Sequence, residues 1–297
     1  RTDSETMGKR ILDLGIVVYS LLQICADTEK MLLRRVFGEQ YDVDKDGNVT
    51  LRDKARISAT SVQNPNDPDA AYRSKGGKEV KGYSTNVTET CDEDGKPSLI
   101  TDVQVKPANV ADNGFVEKAI ENTKEVTGNK VDKLHSDGAY QSPENRKLAA
   151  DEENGFEFVA NGIQGKPTRY NLNKREDGTL EVTDKYTAEV LDATKVNDGK
   201  WKIPVTDRNG KKTYRYFDDE AVKRCEVRRQ MDSIPWEERK KRNNVEASIF
   251  QYCFHTRNNK TRYRGLIKHT LQAIARCAWI NMRRLFLFDV EKALQIA

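Results

Sequence analysis

The sequence predicts a mixed α/β fold, and three observations carry that prediction. Residues 83–160 read strand, strand, helix, strand, helix, strand in their hydrophobic pattern. From Asn161 to about Pro235 the texture changes to short β-prone runs parted by Gly, Asn, Asp and Lys turns. Helical periodicity returns from Trp236 onward. Composition permits such a core: the 297 residues are 36% hydrophobic and 33% charged, and nine Phe, three Trp and eleven Tyr are too many for a disordered chain.

Taken in order, residues 11–37 read as helical, because Ile11, Leu14, Val18, Leu21, Leu22 and Cys25 recur on one face. Tyr41 to Asp69 is turn-rich and polar, so about residues 10–70 form a helical and turn-rich insert. Tyr83-Ser-Thr-Asn-Val-Thr88 and Leu99-Ile-Thr-Asp-Val-Gln-Val105 flank a turn at Asp92–Pro97 and make a hairpin. Asp112–Val126 is a helix with Phe115, Val116, Ala119 and Ile120 on one side. Val131–Ser136 is a strand that runs into Asp137-Gly138. Ser142-Pro143 starts the next helix as N-cap and first-turn proline, and Phe156–Ala160 is the following strand. Ile267, Leu271, Ile274, Ala278, Met282 and Leu285 give the last helix its apolar stripe. The domain reading is 1–160 as the first part of the core, 161–235 as a β-rich insertion, and 236–297 as helices completing the core.

Several classes are set aside. No stretch approaches the roughly 20 apolar residues that span a bilayer, and Arg1–Arg10 lacks an apolar signal core. Five Cys, an odd number without a C-x-x-C, do not make a disulfide scaffold. The expected setting is a reducing cytoplasm without membrane contact, where the N-V-T sequons at Asn48 and Asn86 have no consequence. Charge is uneven: residues 223–297 carry 17 Lys+Arg against 7 Asp+Glu, a balance of +10, whereas residues 1–222 carry 34 against 40, a balance of −6. A basic C-terminal quarter suggests a polyanionic partner, with a solvated helix surface as the plainer alternative.

Four constellations stand out. Asp42-Val-Asp-Lys-Asp-Gly-Asn-Val-Thr-Leu-Arg-Asp53 has the oxygen spacing of an EF-hand calcium loop, but Asp stands where the bidentate Glu belongs, and an Asp/Gly turn is expected instead. His135, His255 and His269 are scattered, and Cys253-Phe-His255 is the only close Cys/His pair, so a His/Cys metal site is not expected. Asp137 ends an apolar strand before a Gly turn, where α/β sheets present functional groups; the alternative is a turn-forming Asp. Glu246 follows Arg242 by one turn in a helix whose Val245, Ile249 and Phe250 should face inward; the alternative is a surface ion pair.

Taken together, these residues resemble one family. His135-Ser-Asp-Gly-Ala-Tyr-Gln-Ser-Pro-Glu144 resembles the second-aspartate strand of bacterial insertion-sequence transposases of the DDE class. Pro65-Asn-Asp-Pro-Asp-Ala-Ala-Tyr-Arg73 and Lys81-Gly-Tyr-Ser-Thr-Asn-Val-Thr-Glu89 resemble the stretch before it. Asn243-Asn-Val-Glu246 and the basic run from His255 to Gly265 resemble the glutamate helix and its sequel, and Arg1-Thr-Asp-Ser4 with Met7 and Leu14-Gly15 is similar to the first-aspartate segment. The motifs come in the family's order along nearly the whole chain. Two departures are visible: Arg239 stands where the family has Tyr and Cys253 where it has Lys, and only two residues precede Asp3, so the chain reads as a fragment. Asp67 and Asp69 are the fallback first carboxylates.

The resemblance implies a ribonuclease-H-like mixed sheet with flanking helices, and a β-rich insertion before the glutamate helix. It implies Asp3, Asp137 and Glu246 as a catalytic, metal-binding triad holding Mg²⁺, with Mn²⁺ as substitute. Two such ions about 3.5–4 Å apart activate a water or 3′-hydroxyl and stabilise the leaving oxygen, chemistry that calls for hard carboxylate ligands. The implied partner is double-stranded DNA, at transposon ends and at a target, with two copies of the chain synapsed on it. Arg239, Lys240, Lys241, Arg242, Arg257, Lys260, Arg262, Arg264 and Lys268 are the expected phosphate contacts. Trp201, Tyr214 and Tyr216 are either stacking platforms for an unpaired base or local core. A nuclease on the same core and an inactive DNA-binding derivative are the rival readings.

Overall fold

The computed structural model describes residues 3–24, 31–91, 95–153, 155–160, 168–206, 210–254, 256 and 260–296. It comprises two compact units, Arg1–Ala111 with Ala247–Ala297, and Asp112–Glu246.

In the first unit, helix α1 (Ser4–Ile24) is followed by α2 (Met31–Gln40) and a small hairpin, β1 (Tyr41–Val43) and β2 (Val49–Leu51). The buried positions of α1 are Gly15 and Leu22. At Gly15 the bare backbone admits the Tyr41 ring, which a Cβ there would meet at 2.2 Å, and the Tyr41 hydroxyl donates to Ile11 O at 2.8 Å. Tyr19, Phe37 and Tyr41 stack in succession, with Leu22, Val18, Leu33 and Val49 around them. The expected inward face is thereby corrected. Ile11, Leu14 and Leu21 are exposed, because the aromatic stack docks where α1 has its smallest residue, and Cys25 lies outside the described residues.

Next comes an antiparallel sheet. Strand β3 (Ala71–Lys75) turns through Gly76-Gly77, both at positive φ, into the first half of β4 (Lys78–Glu89). The second half of β4 pairs with β5 (Ile100–Pro107), from Tyr83↔Pro107 to Thr88↔Asp102. This is the hairpin that the residues predict; β3 adds a strand to it that no local pattern announces, since Arg73-Ser-Lys75 carries no apolar alternation.

The second unit opens with a 3-10 turn at Asp112–Phe115 and α3 (Val116–Thr127), closed by Gly128 in the left-handed region. Strands β6 (Lys133–Ser136) and β7 (Glu157–Ala160) pair in parallel around α4 (Pro143–Ala149). As anticipated, Ser142 caps α4, accepting from Asn145 N at 3.2 Å. Val116, Phe156, Phe158 and Ala160 form the core here. A five-stranded antiparallel meander follows: β8 (Tyr170–Lys174), β9 (Leu180–Asp184), β10 (Val190–Asn197), β11 (Lys200–Thr206) and β12 (Lys212–Asp218). Its inner face sets Leu172, Leu180, Val182, Trp201, Ile203 and Phe217 against Val222 and Cys225 of α5 (Asp219–Ser233). Further along, Met231 of α5 enters the first core, so one helix fastens both layers.

Helices α6 (Trp236–Lys240), α7 (Asn243–Cys253) and α8 (Leu266–Ile296) complete the chain. In the first unit, α8 lies on β5. Ala273, Cys277 and Ile280 are buried, the last two against Ile100, Val87 and Val103. Asn281 clamps Ile100 by accepting from its N and donating to its O, both at 2.8 Å. The predicted stripe is real in period but reversed in direction: Ile267, Leu271, Ile274, Ala278, Met282 and Leu285 are exposed, because Asn281 and Arg284 turn the other side to the sheet. The mixed α/β class stands. The described strands expected to make one ribonuclease-H-like sheet form two, β3-β4-β5 antiparallel and β6-β7 parallel.

Candidate active site

Asp137 follows the last residue of β6 in extended conformation and opens a one-turn 3-10 helix. Its backbone carbonyl accepts from Tyr140 N, while its carboxylate is exposed and makes no capping bond. The neighbouring His135 is held, Nδ1 lying 3.1 Å from Glu238 O and Nε2 3.9 Å from Glu238 Oε2. Burial pushes its pKa below the ordinary histidine value, with Glu238 opposing. Glu238 in turn takes Lys241 at 2.6 Å, which lowers its own pKa.

Glu246 lies in the first turn of α7, exposed, with Oε1 2.9 Å from Arg242 Nη2. The face of α7 expected inward is corrected as well. Ile249 and Phe250 are exposed and Ser248 is the buried residue, because α7 is fixed by a polar lock. Ser248 donates to Glu89 Oε2, Arg284 Nη1 donates to the same oxygen at 2.9 Å and to Ser98 O at 2.9 Å, and Arg284 Nη2 donates to Ser248 Oγ. The Glu89 side chain is only 3% exposed. No local pattern marks this trio, whose members lie far apart along the chain.

Asp3 caps α1, with Oδ1 accepting from Thr6 N at 2.8 Å and Oδ2 from Thr6 Oγ1 at 2.7 Å, contacts that lower its pKa. It stands at an exposed helix start, not on a strand. Of the fallback residues, Asp69 is exposed and Asp67 is buried, taking Tyr83 Oη and Gly265 N on one oxygen; this raises the Tyr83 pKa, burial contributing most. Among the described residues no three His, Cys, Asp or Glu side chains gather as a metal site. Asp137 and Glu246 have the donor chemistry of a hard-cation site, whereas both Asp3 oxygens are engaged on Thr6.

The calcium-like loop is the β1–β2 hairpin. Asp44 accepts from Asp46 N, Asn48 N and Asn48 Nδ2, Asp42 pairs with Arg52 and Arg56, and Asp53 takes Ala55 N. Of the basic residues, Lys240, Lys260, Arg262, Arg264 and Lys268 are exposed, Arg239 is half-buried, Lys241 and Arg242 are half-buried in their ion pairs, and Arg257 lies outside the described residues. Trp201, 1% exposed, is core and offers no stacking face. Tyr214 and Tyr216 are exposed on the outer face, with Lys202 4.6 Å and Lys200 6.0 Å from their ring centroids.

Residues 206–286 match the family model described as Transposase DDE domain, from the end of β11 into α8 and across Glu246. The match supports a DDE-class transposase, the family that the ordered motifs resemble. No curated protein and no solved structure matches the chain.

Proposed function

We propose that the chain is a DNA transposase that cleaves and joins strands at transposon ends with Mg²⁺, acting as two copies synapsed on double-stranded DNA. The family match over residues 206–286 is the observation that carries this reading, since it encloses Glu246, its Arg242 partner and the cations that follow. Asp137 and Glu246 are the carboxylates proposed to act, and Asp3 joins them only if it leaves Thr6. One observation favours a second reading, a DNA-binding derivative without activity: both Asp3 oxygens are taken up by the α1 cap.

The test is nicking of supercoiled plasmid in Mg²⁺ or Mn²⁺, run beside a binding titration over salt. Asp137→Asn and Glu246→Gln should each abolish nicking while DNA binding holds, because removing a carboxylate lessens repulsion of the phosphates. Replacing Arg262 and Arg264 by Ala should weaken binding to every sequence and flatten the salt slope by about two. Nicking intact in Glu246→Gln would leave Glu246 a surface residue. Binding without nicking in the unaltered chain would establish the second reading.

A further inference from the structure

We propose that Glu238 is a positioning residue, which ties the segment carrying Glu246 to the strand that ends at Asp137. The inference rests on the reading of those two carboxylates as metal ligands, and it concerns a side chain outside that pair.

Strand alternation puts Lys133 and His135 on one face of β6, and Asp137, which follows β6 in extended conformation, continues that face. Glu238 of α6 meets this face through two groups. Its carbonyl lies 3.1 Å from His135 Nδ1, and since a carbonyl only accepts, Nδ1 carries the proton. Its carboxylate stands 3.9 Å from His135 Nε2 and 4.0 Å from Lys133 Nζ. The His135 side chain is 8% exposed, so the contact is an internal anchor and not a swinging surface pair.

On its own side Glu238 takes Lys241 Nζ at 2.6 Å, which fixes the turn between α6 and α7. Arg242 comes next in the chain and holds Glu246 Oε1 at 2.9 Å. Glu238 is therefore a point where the routes to both candidate carboxylates are tied together. Asp137 lies two extended residues beyond His135, about 7 Å. Glu246 lies eight largely helical residues beyond Glu238, about 12 Å. Stretches that short carry a displacement of the pin to both carboxylates. Glu238 is not itself placed as a ligand: its carboxylate is engaged by Lys241, Lys133 and His135, whereas Asp137 and Glu246 are exposed. Groups that orient ligands in this way govern metal affinity without touching the metal.

The test titrates Mn²⁺ into the full chain without DNA and reads bound metal by electron paramagnetic resonance, with far-UV ellipticity as the check on folding. Asp137→Asn and Glu246→Gln should each abolish the bound signal. Glu238→Ala keeps the main-chain contact to His135 and should remain folded, yet raise the Mn²⁺ Kd about tenfold or more. Glu238→Asp keeps the charge but falls short by one methylene, and should lose about as much. Glu238→Gln keeps the reach and an acceptor for Lys241, and should restore most of the affinity. Mn²⁺ held by Glu238→Ala as tightly as by the unaltered chain would overturn the proposal and leave the two ligands standing. The reverse order of the conservative variants, Glu238→Asp tight and Glu238→Gln weak, would assign the effect to charge and overturn it as well. Mn²⁺ binding indifferent to both Asp137→Asn and Glu246→Gln would refute the metal reading itself, and this inference with it.

Discussion

Arg284→Met tests the polar lock that fixes α7 and α8 in the first unit. The substitution keeps most of the side chain's volume and removes the donors to Glu89, Ser98 and Ser248. Glu89 is then left as a nearly buried carboxylate held by Ser248 alone. Breaking a buried ion pair at one partner costs about 3–5 kcal/mol. The lower end applies, since the Arg284 side chain is 19% exposed and water can reach the vacated side. About 3 kcal/mol corresponds to a fall in Tm of roughly 6–12 °C for a domain of this size. Urea unfolding followed by circular dichroism measures it, with hydrogen exchange at β5 and α8 to locate the loss. Pairing Arg284→Met with Glu89→Leu replaces the ionic contact by an apolar one and should recover most of the deficit, with a coupling of at least about 1 kcal/mol. A single-variant loss below about 1 kcal/mol, or strict additivity in the cycle, would refute the claim that this pair holds the helices to the sheet.

Three further outcomes are expected. Gly15→Ala drives a Cβ into the Tyr41 ring and should cost about 1–3 kcal/mol as overpacking, read by thermal melting; a neutral result would mean that α1 and the hairpin shift freely. Trp201→Ala, emptying a site that is 1% exposed in the meander core, should cost about 3–5 kcal/mol and loosen exchange in β8–β12 before β6–β7. His135 has a depressed pKa when folded, because burial disfavours its charged form. The unfolded chain therefore takes up the proton first, and stability should fall as pH drops through the ordinary histidine value near 6.5. His135→Gln should remove that slope in urea titrations from pH 5 to 7.5; an unchanged slope would assign it to other groups.

Much of the architecture was legible in the residues, and the failures have a common physical origin. Ser142-Pro143, the β4–β5 hairpin and the strand before Asp137 were readable because capping chemistry and alternation act locally. Direction was not. In α8 the stripe with the larger apolar residues is exposed, while Ala273, Cys277 and a hydrogen-bonding Asn281 meet the sheet. In α1 the contact is marked by a glycine, and in α7 by Ser248, buried through Glu89 and Arg284. Periodicity gives the phase of a helix, but two faces of similar polarity leave open which one packs. Of the two alternatives for Trp201, local core is the one the structure shows, because alternation along β11 sends it to the side of α5. For the candidate site, ordered motifs single out Asp137 and Glu246, and the engagement of Asp3 with Thr6 depends on a helix start that the first four residues alone do not disclose.

The interrupted first unit has a consequence for how the chain emerges during synthesis. Strands β3–β5 leave the ribosome early, but the surface that covers Ile100 and Val103 belongs to α8 and follows roughly 170 residues later. At about 5–20 residues per second the wait is on the order of 10–30 s, during which that apolar sheet face has no cover. The meander of the second unit pairs only neighbouring strands and forms faster than it is made. Nascent chains stalled between Asp218 and Leu266 should therefore carry a finished second unit and an adhesive, half-built first one. Such chains should depend on holdase chaperones until α8 is released.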